Sequence, residues 1–71
     1  MMTIVINGKA KTFDYPEPRF ATVENLCEWA GLDSICVTEV SWSKKVDQKR
    51  EYGKVLKSEY IQIEDGMLFH I

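Results

Sequence analysis

The residues able to do chemistry in this 71-residue chain are few and scattered. The one histidine, His70, is the penultimate residue, and the two cysteines are Cys27 and Cys36. A serine or cysteine nucleophile needs a base within hydrogen-bond reach. With a single imidazole, placed in an apolar terminal run, His70 reads as a strand residue and not as a catalyst. A structural zinc site needs four ligands, usually with cysteines a few positions apart. Cys27 and Cys36 have eight residues between them, which does not fit that spacing. They read instead as free, buried thiols. The glycines stand alone at Gly8, Gly31, Gly53 and Gly66, so no glycine-rich loop is present to cradle a phosphate. The expectation is a protein without catalysis, cofactor or metal.

Binding candidates come from aromatic and charged residues. Trp29 and Trp42 are the two tryptophans, a residue type enriched among interface anchors. Net charge is −2, yet it is unevenly spread: residues 14–43 carry six carboxylates against Arg19, and residues 44–57 carry six cations against Asp47 and Glu51. Lys44, Lys45 and Tyr52, close to Trp42, join the two tryptophans as candidate protein-binding residues. The basic stretch also has the ingredients of a nucleic-acid patch, cations with aromatics for stacking. The interspersed carboxylates and the acidic whole favour a solvated loop that keeps a small domain soluble.

These residues must be positioned by a chain near the lower size limit for a self-supporting core. Its composition, 45% hydrophobic and 28% charged, is that of one folded domain spanning residues 1–71. No apolar run approaches the roughly 20 residues of a membrane span, and no basic-then-apolar leader opens the sequence. A cytoplasmic location is expected.

The best-signalled element is Ala21–Leu32. Thr22 suits an N-cap, Glu24 and Glu28 suit the positive end of the helix dipole, and Gly31 suits the left-handed stop. Val23, Leu26, Cys27 and Ala30 recur at i, i+3, i+4 and i+7 and make one apolar stripe. Trp29 falls at the edge of that stripe, and Phe20 is placed to fold back on the first turns. A helix with one apolar face needs a sheet to cover.

The flanks supply it. Thr3–Ile6 and Lys9–Tyr15 flank Asn7-Gly8, the strongest two-residue hairpin signal. Pro16 and Pro18 end the second strand. Ile35–Ser43 reads as a strand, Lys44–Arg50 as an exposed loop, and Glu51–Tyr60 as holding a short strand near Tyr52 or Val55-Leu56. Tyr60–Ile63 alternates, and Asp65-Gly66 is a second hairpin-type dipeptide. Met67–Ile71 is apolar at nearly every position, as a central strand buried on both faces would be. The order fits an α+β fold, a mixed four- or five-stranded sheet with one helix packed across it. First and last strands would run parallel in the middle, which is the β-grasp arrangement.

The opening T-I-V-I-N-G-K, the helix T-V-E-N-L-x-x-x-A-G-L-D and the closing I-x-I-E-D-G-M-L-F-H resemble the bacterial ubiquitin-like β-grasp domains. The nearest pattern is that of the multiubiquitin-type domains, and the sulfur carriers of thiamin and molybdopterin synthesis share the same signals. These motifs are turn glycines, a cap and core apolars, so they speak for fold more than for activity. The resemblance implies a ubiquitin-like fold and partners that dock on the open sheet face. It also implies a C-terminal Gly-Gly for conjugation or sulfur transfer, whereas this sequence stops at Ile71. The expected function is a non-catalytic ubiquitin-like protein–protein interaction module, an adaptor or binding protein. A small phage-type inhibitor of a bacterial defence enzyme is the alternative. A modifier or sulfur carrier, which would need processing or fusion, and a nucleic-acid-binding module are less favoured. The expected partner is another protein, with self-association through a sheet edge as a second route.

Overall fold

The computed structural model describes residues 1–71. Its first strand, β1 (Met2–Ile6), alternates strictly, with Met2, Ile4 and Ile6 buried and Thr3 and Val5 half-buried on the other side. Asn7 and Gly8 both take positive φ, 51° and 82°, as a type I′ turn requires. That turn returns the chain as β2 (Lys9–Phe13), antiparallel to β1. A short strand, β3 (Phe20–Ala21), leads into α1 (Val23–Ala30). Phe20 does not fold onto the helix. It pairs through β3 with Gln62 and stays 58% exposed, because its buried neighbour Ala21 takes the inward position.

The helix begins and ends as its residues dictate. The Thr22 hydroxyl accepts from the Asn25 N–H, and the Asn25 side chain accepts from the Thr22 N–H, a reciprocal capping box. At the other end Gly31 is left-handed with φ 73°, its N–H donating to Glu28, while the Leu32 N–H donates to Cys27. Those two bonds are the Schellman pattern. Val23, Leu26 and Cys27 are fully buried, and Ala30 is half-buried at the margin.

The next segment departs from expectation. Ile35–Thr38 is not strand: Asp33 Oδ1 accepts from the Ile35 N–H and the Ser34 carbonyl from the Val37 N–H, folding the segment into turns. A short polar side chain that bonds nearby backbone competes with a ladder, and here Asp33, with the Ser34 turn after it, overrides the β-branched residues that follow. Cys36 is therefore exposed, and only Cys27 is buried; both are free. The strand β4 starts at Glu39 and runs to Val46.

Lys44–Arg50 is likewise no loop. It is the turn-proximal part of a hairpin of two eight-residue strands, β4 with β5 (Lys49–Leu56), registered from Glu39↔Leu56 to Val46↔Lys49. Asp47 provides the turn with φ 57°, a positive value at the first central position alone, the φ signature of a type II′ turn. Its charges obscure the alternation because β5 is an edge strand, where lysine and arginine also discourage pairing with another chain.

After β5 the short strand β6 (Ile61–Gln62) pairs with β3, and β7 (Leu68–His70) enters the centre of the main sheet. Asp65-Gly66 is a tight turn, Gly66 at φ 84°, but not a hairpin, because β6 and β7 belong to different sheets. The turn is tied to β1: the Thr3 N–H donates to Asp65 Oδ1 at 2.7 Å and the Gly66 N–H to the Thr3 carbonyl at 2.8 Å. The main sheet runs β2-β1-β7-β4-β5, with β1 parallel to β7 and the other pairs antiparallel. One helix lies against this mixed five-stranded sheet, and the α+β fold is β-grasp-like. Its core joins Met2, Ile4 and Ile6 to Leu26, Val40, Val55, Met67 and Phe69.

Met67 and Phe69 are buried, but Leu68 is 39% exposed and His70 is exposed. The last strand is central without being covered on both faces, since a single helix covers only one.

Candidate functional site

Successive strand residues point to opposite faces, so the register fixes what the uncovered face presents. Val5, Leu68, Ser43 and Tyr52 stand opposite one another in one row across β1, β7, β4 and β5. His70, Ser41 and Lys54 form the next row, and Lys45 with Arg50 a third. Ser41 and Ser43 are small, so β4 forms a low floor between Leu68 and His70 of β7 on one side and Tyr52 of β5 on the other. The result is a trough of about 490 Å³ at this face, with Val5, Asn7 and Gly8 also lining it.

The trough has a floor of serines, largely apolar walls and a cationic rim. Val5 is half-buried, Leu68 is 39% exposed and Tyr52 is 75% exposed. Ser43, the one buried polar residue, is satisfied by Arg50, whose Nη2 donates to Ser43 Oγ at 3.0 Å. Lys54 Nζ lies 3.3 Å from Glu39 Oε1, whereas Lys45 and Arg50 have no carboxylate partner.

The nominated residues divide between the two faces. Tyr52 and Lys45 belong to the trough and its rim. Trp42 and Lys44 have the other parity: Trp42 faces Phe69 and Gly53, packs against the core, and carries Lys44 Nζ at 5.9 Å from its ring centroid. Lys44 is also held by Glu64 Oε2 at 3.0 Å. Trp29 is half-buried on α1, edge-on to Phe13 with ring centroids 4.8 Å apart and planes at 66°. The cations of residues 44–57 are therefore split between the faces, and two of them are held by carboxylates. Val5, Leu68, Arg50 and His70 complete the open face and are not among the binding residues expected from the sequence. Their signal was parity, with Thr3 and Val5 opposite Ile4 and Ile6, and Leu68 and His70 opposite Met67 and Phe69.

Cys27 and His70 stay apart. Cys27 is buried on the inner face of α1, and His70 lies on the opposite side of the sheet. Burial pushes the Cys27 thiol pKa above its ordinary value, with Lys57 pulling it down and Asp33 and Glu24 adding to the rise. A neutral, buried thiol behaves as a small apolar side chain. The N-terminal ammonium, 2.6 Å from Glu17 Oε1, is held above its usual pKa by that hydrogen bond and charge. No helix is long and apolar enough to cross a membrane. No family model, curated protein or solved structure matches this chain.

Proposed function

We propose that this chain is a non-catalytic, ubiquitin-like interaction module that docks a partner protein on the open face of its sheet. The observation that carries this reading is the trough floored by Ser41 and Ser43. It spans β1, β7, β4 and β5 of the five-stranded sheet, has apolar walls and a cationic rim, and has no element of the chain packed over it. A site on paired strands is held more firmly than one on loops. The central apolar groups with polar surroundings match the anatomy of a protein interface.

Leu68 is the central anchor, Val5 and Tyr52 extend the apolar contact, and Lys45 and Arg50 bias the partner toward acidic flanks. Trp29 and Trp42 act through the fold: each packs its ring on a neighbour, Phe13 for one and the Gly53 backbone for the other. The test is affinity capture from host lysate with wild type and Leu68→Glu, both checked for folding by circular dichroism. Wild type retains a specific protein and Leu68→Glu loses it; capture undiminished by Leu68→Glu would overturn the assignment of the face.

A further inference from the structure

Two like-charge pairs stand out once the ion pairs of the chain are assigned. On α1, Glu24 and Glu28 are both exposed, one turn apart, and neither has a cationic partner. Residues at i and i+4 lie about 5–6 Å apart at Cβ, and like charges there destabilise a helix slightly. On the open face Lys45 and Arg50 are directly opposite across β4 and β5, without a carboxylate partner. Directly opposed strand residues are about 4.5–5.5 Å apart at Cβ, and like charges there are also unfavourable. The two pairs match in spacing and oppose in sign.

They cannot meet within one molecule. The helix packs on the face formed by Ile4, Ile6, Val40 and Phe69, whereas Lys45 and Arg50 project from the other. The thickness of the sheet and its packed side chains, about 10 Å between layers, separates them. Two molecules can bring them together.

We propose that the partner accommodated by the open face is a second copy of this chain, joined head to tail. Glu24 and Glu28 of one molecule bridge Lys45 and Arg50 of the next, and the exposed flank of α1 lies along the trough. Because the two surfaces differ, the contact is heterologous: each molecule keeps a free helix and a free trough, and association continues into open chains or closes as a ring. The pairing rests on the reading of the open face as a docking surface. A chain that stays monomeric removes the second copy as occupant and leaves the lysate test of that face standing.

Sedimentation velocity of the purified chain tests this. In low salt the weight-average mass rises with concentration beyond twice the 8.2 kDa of one chain. It falls back to the monomer between about 50 and 500 mM salt as the charges are screened. The doubly reversed variants Glu24→Lys/Glu28→Lys and Lys45→Glu/Arg50→Glu are each monomeric, since each has two surfaces of one sign. Mixed in equal amounts they assemble again, the basic helix of one on the acidic trough rim of the other. A wild type that stays monomeric in low salt, or a mixture that does not reassemble while both variants give native circular dichroism, overturns the proposal. So does a species that stops at the dimer and survives Glu24→Lys/Glu28→Lys, the behaviour expected of β5 edges pairing with each other.

Discussion

Gly53→Ala tests the packing that orients the β4–β5 hairpin beneath the trough. Gly53 lies opposite Trp42 with no positive φ, so its conformation suits alanine and only space opposes it. A Cβ placed there would overlap Trp42 Cζ2 and lie 2.6 Å from Cε2 and 2.9 Å from Nε1. Glycine in a strand commonly marks such a close approach, an aromatic ring lying over the bare backbone. Moving the indole costs about 1–3 kcal/mol as an overpacked contact. Losing glycine returns about 0.4–1 kcal/mol by restricting the unfolded chain. The net expectation is a destabilisation of about 1–2 kcal/mol, which lowers a urea midpoint by about 1–2 M at the slope usual for a small domain. In a Trp42→Ala background the clash is gone, and the same change becomes neutral or mildly stabilising. The double-mutant cycle, followed by tryptophan fluorescence and circular dichroism, thus yields a coupling of about 2 kcal/mol. Gly53→Ala that is neutral in the wild type, or equally costly in both backgrounds, would refute the placement of Trp42.

Thr22→Ala removes the acceptor of the Asn25 N–H and half of the capping box. It is expected to cost about 0.5–2 kcal/mol by urea unfolding, with Thr22→Ser close to wild type. With a disulfide-exchange reagent, Cys36 reacts within mixing and Cys27 only as fast as the protein opens, so a native chain shows one fast and one slow thiol. Because burial raises the Cys27 pKa, its contribution to stability is fully present below the unfolded thiol value of about 8.5 and declines as pH rises through the folded value. Cys27→Ala should flatten that alkaline decline in a pH series of urea midpoints. Leu68→Glu, at a central-strand position 39% exposed, should cost about 1–2 kcal/mol of stability through lost apolar burial, leaving the fold intact, while weakening partner binding about tenfold or more.

Much of the architecture is legible in the residues. Thr22, the stripe Val23–Leu26–Cys27 and Gly31 place the helix correctly because each end has its own backbone chemistry. Asn7-Gly8 does the same for the first hairpin. What escapes the sequence is governed by tertiary context. Charges conceal the β4–β5 hairpin, since an edge strand open to solvent need not alternate. Asp33 and Ser34 fold Ile35–Thr38 away from the sheet despite its β-branched residues. The trough is legible only as parity, and parity becomes a site only once the helix is known to cover one face. Trp42 looks like an exposed anchor beside Lys44, and Gly53 eleven residues later is the clue that its ring lies against backbone.

The measurement that bears most directly on the account is an amide chemical-shift titration of the isotopically labelled chain with the protein it captures. Docking on the open face predicts shifts clustered at Val5, Ser41, Ser43, Tyr52, Leu68 and His70, with the exposed Phe20 of β3 and Tyr60 just before β6 unmoved. Shifts centred on Phe20 and Tyr60, with the trough silent, would contradict it.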